Sequence, residues 1–116
     1  MSILLALTAT EPGEAARLYA IERAQETGES LVICPLDGSE PADFDFGDLA
    51  YTVETEVHRS RDAVGDLIDA VERVKPLFVV VGVRRRSPVG KMLLGSAAQR
   101  IILEANAPVV AVKPAN

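Results

Sequence analysis

The stretch GVRRRSPVGKMLLGS, residues 82 to 96, gathers residue types that hold anions. Arg84, Arg85, Arg86 and Lys91 supply positive charge, and a guanidinium can grip two phosphate oxygens at once. Gly82 and Gly95 let the backbone approach a ligand closely and take positive φ where a turn requires it. Ser96 and Gln99 read as an S-x-x-Q capping box that opens a helix, with Ser96 as its cap. The first N–H groups of such a helix face back toward the loop and attract phosphate. The chemistry on offer is phosphate binding, and a solvated basic turn is the plain structural alternative.

Two familiar phosphate loops are excluded. A Walker A loop has Gly five residues before its Gly-Lys pair, where Arg85 stands, and a hydroxyl after the Lys, where Met92 stands. The glycine spacing also differs from that of a dinucleotide-binding fingerprint. Catalysis finds little support. His58 is the sole histidine, at a strand end beside Arg59 and Arg61, and the G-x-S-x-G elbow of a Ser-His-Asp hydrolase is missing. Asp62, Asp66 and Asp69 fall on the polar side of a helix, where solvation explains them better than a metal. Cys34 is the single cysteine and lies in the apolar run SLVICPL, so it reads as a buried, inert thiol. The expectation is a binding protein rather than an enzyme, without a resident metal.

Charge favours a small anionic ligand over nucleic acid. Residues 1–75 carry sixteen acidic and six basic side chains, whereas residues 76–116 carry six basic and one acidic. A nucleic-acid surface needs a Lys or Arg for each neutralised phosphate, spread over a broad face. Here four of the six later bases crowd into one stretch. No apolar run approaches a membrane span, and Met1 leads directly into a short strand-like run, so a cytoplasmic protein is expected.

Elements must position this stretch, and their signals are clear. SILLAL and SLVICPL read as strands buried on both faces, LFVVVG as the central strand and PVVAV as the last. Between the first two, Thr10 caps a helix that runs to about Thr27, with Pro12 in its first turn and Gly28 closing it. DGSEPADFDFGD reads as an exposed loop, and YTVETEV (Tyr51 to Val57) as a half-buried, edge-like strand. From Arg61 to Val74 the apolar period becomes helical, and Lys75 and Pro76 end it. A third helix runs from Ser96 to about Ala105. Alternating strands and helices over 116 residues imply one α/β domain, residues 1–116, with a five-stranded parallel sheet flanked by helices in a flavodoxin- or Rossmann-like order. Ligands of such sheets sit beyond the carboxyl ends of the strands, where residues 82–96 begin.

The segment VVVGVRRRSPVGKMLLGSAAQRIILEANAPVVAVKP resembles the C-terminal half of universal stress protein domains. SILLALTATEPGEAARLYAIERAQETGESLVI is similar to their opening strand and helix. The family's ATP-binding pattern is Gly, two residues, Gly, nine residues, Gly, then Ser or Thr. Gly82, Gly95 and Ser96 match it, while Arg85 replaces the second Gly. Thr8 stands where ATP-binding members commonly have an aspartate that holds the adenine, and Ala98 replaces a second hydroxyl. The segment from Leu36 to Ala50 is short and lacks the usual helix, which leaves one sheet face partly open or handed to a partner.

The resemblance implies a stress-response or regulatory domain that binds ATP or another adenine nucleotide weakly. Its phosphates would meet Gly82, Arg84, Arg85, Gly95 and Ser96, and its base would be flanked by Ala6, Thr8 and Ile33. It also implies a homodimer paired through Val109–Val112. The alternative is a dimeric scaffold that needs no nucleotide. A response regulator would need acids after the first strand, where TATEP stands. A flavodoxin would set Glu11 against its phosphate and would lack an aromatic pair for its ring.

Overall fold

β1 (Ser2–Leu7) has six consecutive buried residues, as an apolar run covered on both faces requires. It lies at the centre of the computed structural model, which describes residues 1–54, 62–84 and 94–114. α1 (Glu11–Thr27), β2 (Ser30–Pro35) and β3 (Tyr51–Val53) follow, then α2 (Ala63–Val74), β4 (Phe78–Gly82), α3 (Ser96–Glu104) and β5 (Val109–Val112). The strands form one sheet in the order β3-β2-β1-β4-β5, and all four pairings are parallel. This is the five-stranded Rossmann-like arrangement expected from the sequence.

The order explains the layers. The chain steps outward from β1 to β3, then crosses back to β4 and steps the other way. Right-handed crossovers therefore place α1 on one face and α2 and α3 on the other. Strand parity follows: Ile3, Leu5, Leu31, Ile33 and Val80 pack toward α1, while Leu4, Val32, Cys34, Val79 and Val81 pack toward α2 and α3. α1 meets the sheet through Ala16, Ala20 and Ala24, one per turn and fully buried. Such small side chains let the helix axis come close to the strands.

The caps of α1 are those read from the sequence. The Gly13 N–H donates to Thr10 Oγ1 at 3.0 Å, and Gly28 closes the helix at φ 77°. α2 begins instead at Asp62, whose carboxylate accepts from the Gly65 N–H at 2.9 Å and from Arg100 of α3 at 2.8 Å. Arg61, Thr55 to Val57 and His58 lie outside the described residues.

Two expectations are corrected. β3 is described only over Tyr51–Val53, and all three residues are exposed rather than half-buried, because β3 forms one edge of the sheet. The loop after β2 is not simply exposed. Pro41 opens a single 3₁₀ turn and is buried, and Phe46, 3% exposed, sits in the α1-side core with Phe44 and Leu49 packed around it. Arg17 of α1 donates to the Glu14 carboxylate and the Asp45 carbonyl. Its guanidinium stands 5.9 Å and 6.0 Å from the Phe44 and Phe46 ring centroids. The loop thus covers core beside α1 that the absence of a helix was expected to leave open.

Candidate functional site

The strand order reverses between β1 and β4, and a cleft of about 450 Å³ opens beyond their carboxyl ends. Ala6, Val81 and Gly82 from the two strand ends line it, with Val83 and Arg84 beyond β4. Thr8, Thr10, Glu11 and Pro12 line it from the start of α1. Gly95, Ala97 and Ala98 line it from the start of α3, and Leu36 and Pro114 stand after β2 and β5. Aliphatic surface from the strand ends meets a rim of hydroxyls, charge and helix-terminal backbone. That combination suits a ligand with an apolar body and a polar or anionic end.

Five of the eight residues singled out from the sequence meet here: Ala6, Thr8, Gly82, Arg84 and Gly95. Arg85 lies outside the described residues. Ile33 does not reach the cleft. It is fully buried in mid-strand on the α1 side, paired with Leu5, so its side chain belongs to the core. Leu36, just past the end of β2, lines the cleft instead, held by its N–H donating to the Leu7 carbonyl at 2.9 Å.

Ser96 is also displaced from its expected role. The N-cap of α3 is Gly95, in extended backbone, and its carbonyl accepts from the Gln99 N–H at 3.0 Å. Ser96 is therefore the first helical residue, and the S-x-x-Q pattern makes no side-chain cap. Because glycine has no side chain, no side-chain cap meets the first N–H groups of α3 among the described residues.

The glycines differ in what they do. A Cβ on Gly82 would lie 2.1 Å from the Pro12 carbonyl oxygen, and one on Gly13 would lie 2.1 Å from Thr8 Oγ1. Both are small because the first turn of α1 presses against the ends of β1 and β4. Gly82 thus serves helix–strand approach, and neither it nor Gly95 takes positive φ. Among the described residues, a Cβ on Gly95 would meet nothing within 4 Å. Gly95 lines the cleft, and a side chain there would stand on its wall.

The rim is tied together on the β2 side. Thr8 and Thr10 share a hydroxyl–hydroxyl hydrogen bond of 2.8 Å, and the Ala9 N–H donates to Asp37 at 2.8 Å. Partial desolvation pushes the Asp37 carboxyl up, but bonds from the Ser39 hydroxyl and the Ala9 and Ser39 amides outweigh it, so the carboxyl lies below its ordinary range. The β1–α1 loop is thereby latched to the loop after β2. Glu11 and Arg84 carry opposite charges on the cleft wall, yet neither is seen in an ion pair among the described residues.

Known proteins agree with this architecture. Residues 46–113 match the pattern of the Universal stress protein family. A universal stress protein from Mycolicibacterium smegmatis is 35% identical over 97% of both chains. A universal stress protein structure from Archaeoglobus fulgidus has a TM-score of 0.76 at 24% identity, covering 97% of this chain and 98% of its own. Another from that organism, in complex with dAMP, has a TM-score of 0.68 at 20% identity over 97% and 98%. The solved structures establish the shared fold; the family pattern and the close relative go further, and with them the chain belongs to the universal stress protein family.

Proposed function

We propose that the cleft binds an adenine nucleotide and that the protein is a non-catalytic, nucleotide-responsive regulatory domain of the stress response. The carrying observation is the open start of α3 at Gly95, facing a cleft at the strand-order reversal. Helix dipole and free N–H groups there attract phosphate, with Arg84 adding a full charge. Ala6, Leu36 and Val81 offer apolar surface to a base. The structure of a family member with dAMP shows that this architecture can hold an adenylate. Arg85 stands next to Arg84 in the chain and is placed with the phosphates in this reading. Thr8, in place of an aspartate, removes a charged contact to adenine, a loss of about 1–3 kcal/mol that makes for weak binding.

The absence of catalysis in this reading rests on the chemistry of the groups present. Burial pushes the Cys34 thiol up to about 12, aided by Glu54, so it is a poor nucleophile. No described helix is long and apolar enough to cross a membrane. The reading places the protein in the cytoplasm as one domain without resident metal.

A second reading is a dimeric scaffold that needs no nucleotide. β5 (Val109–Val112) is an edge strand bonded on one side to β4, and such an edge pairs readily with a second copy. The two readings separate in one experiment. Dialysed protein is titrated calorimetrically with AMP, ATP and pyrophosphate, beside Gly95→Val, with mass measured by light scattering. Adenylate binding that Gly95→Val abolishes supports the nucleotide site. A constant dimer with no heat from any ligand supports the scaffold.

A further inference from the structure

Thr8 sits where β1 gives way to α1, and it lines the cleft. The segment after β2 holds the peptide groups on both sides of it. The Leu36 N–H donates to the Leu7 carbonyl at 2.9 Å, and the Ala9 N–H donates to the Asp37 carboxylate at 2.8 Å. The first bond extends the backbone pairing of β1 with β2, whereas the second depends on one side chain. That carboxylate is itself aimed. Its other oxygen accepts from the amide and the hydroxyl of Ser39, across a turn in which Gly38 takes φ 80°. From the helix side, the first turn of α1 presses on Thr8, where a Cβ on Gly13 would lie 2.2 Å from the Thr8 carbonyl oxygen. Thr8 and Thr10 carry two hydroxyl protons between them. Their mutual bond uses one, and among the described residues no acceptor takes the other. A ring nitrogen or a sugar oxygen is a suitable acceptor for it.

We infer that Asp37 is a positioning residue for the nucleoside end of the ligand, acting through the Ala9 amide to fix Thr8 on the cleft wall. The inference rests on the nucleotide reading above, which sends the phosphate to the start of α3 and the base to Ala6, Leu36 and Val81. Asp37 does not itself line the cleft, so its effect on binding passes through the β1–α1 loop. Its bond to Ala9 is exposed, and water competes for both partners, so the bond adds little to global stability. Its effect is on direction. Without it the peptide between Thr8 and Ala9 loses its side-chain anchor, and the hydroxyl pair loses a fixed orientation. Ordering that loop again then becomes a cost of binding the nucleoside.

The test titrates AMP and pyrophosphate into wild type, Asp37→Ala and Asp37→Asn by calorimetry, and follows amide hydrogen exchange at Ala9 without ligand. Both variants remove the same charge, but Asn can still turn its carbonyl oxygen to Ala9 and its amide to the Ser39 hydroxyl. Asp37→Ala should weaken AMP about tenfold, and Asp37→Asn should stay within about threefold of wild type, the scale of one hydrogen bond. Pyrophosphate, which lacks the nucleoside, should bind both variants alike. Exchange at Ala9 should quicken in Asp37→Ala and be restored in Asp37→Asn. Equal loss of AMP binding in the two variants overturns the inference, since charge rather than geometry would then be at work. Parallel loss of AMP and pyrophosphate in Asp37→Ala alone also overturns it, as the mark of a general collapse of the cleft. AMP binding unmoved by Asp37→Ala overturns it and leaves the nucleotide reading standing. Wild type that binds no adenylate overturns that reading and the inference together.

Discussion

α1 and α3 both begin at the rim of one cleft, and they treat their free N–H groups in opposite ways. At α1, the Thr10 hydroxyl accepts from Gly13, Pro12 removes a donor, and Glu11 and Glu14 offset the dipole. At α3, Gly95 provides no side-chain oxygen, and the first turn holds no acid. α1 carries a side-chain cap of its own, and its start is a structural joint pressed against β1 and β4. α3 has no side-chain cap among the described residues, and under the nucleotide reading its start is where the phosphate would sit. The contrast extends to the glycines: a Cβ on Gly13 or Gly82 would strike backbone, whereas one on Gly95 would meet none of the described residues within 4 Å.

The comparison can be broken most forcefully at the glycines. Gly82→Ala and Gly13→Ala should each destabilise the fold by about 3 kcal/mol, since backbone or a bonded hydroxyl must move. Gly95→Ala should cost no more than about 1 kcal/mol. Urea unfolding measures both, and equal losses at Gly82 and Gly95 would erase the distinction. Next in size is Gly95→Asp, which gives α3 the cap that α1 has. Stability should rise by about 0.5–1 kcal/mol while adenylate affinity falls at least tenfold. Retained binding would show that the start of α3 does not face the ligand. Thr10→Ala should lower stability by about 1 kcal/mol through loss of a working cap. A smaller loss would mean that the packing of Gly13 alone holds the joint.

The smallest effect is in pH. Backbone N–H donation from Gly65 and the bond from Arg100 hold the Asp62 carboxyl below its ordinary value, and the rim bonds do the same for Asp37. For carboxylates shifted down, the unfolded chain takes up protons first as pH falls. Their contribution is therefore complete above the ordinary aspartate value and is lost below about pH 4. Melting temperatures of Asp62→Asn and wild type should converge through that window. A gap that persists at pH 2 would show that Asp62 acts by packing rather than charge.

The sequence carried most of the fold because its signals were local and unopposed. Unbroken apolar runs mark β1, β2 and β4, the alanines of α1 repeat once per turn, and Thr10 and Gly28 are unambiguous caps. Gly82 was legible as a constrained position, but for a different reason. It admits a helix, and no single strand shows which helix will press on it. Ile33 was expected beside the base but is core, while Leu36 lines the cleft, because strand depth and parity depend on register with β1, which is a property of the pair. At α3, a pattern of Ser and Gln three apart cannot distinguish a cap from a first helical residue when glycine precedes it. The buried Phe46 was hidden by its neighbours: acids and glycines make the segment look solvated, while two aromatic rings and Arg17 anchor it.

The pairing of β1 with β4 has a consequence for how the protein forms and comes apart. Ile3 aligns with Phe78, so most of the chain must be made before the two strands that floor the cleft can meet. Non-local parallel pairing of this kind is slow, because a long loop must close before any contact rewards it. The cleft is thus a late product of folding, assembled after α1 and β2 can already associate. A ligand lodged across β1 and β4 would clasp that late seam, and its kinetic signature would be slower unfolding with the folding rate unchanged.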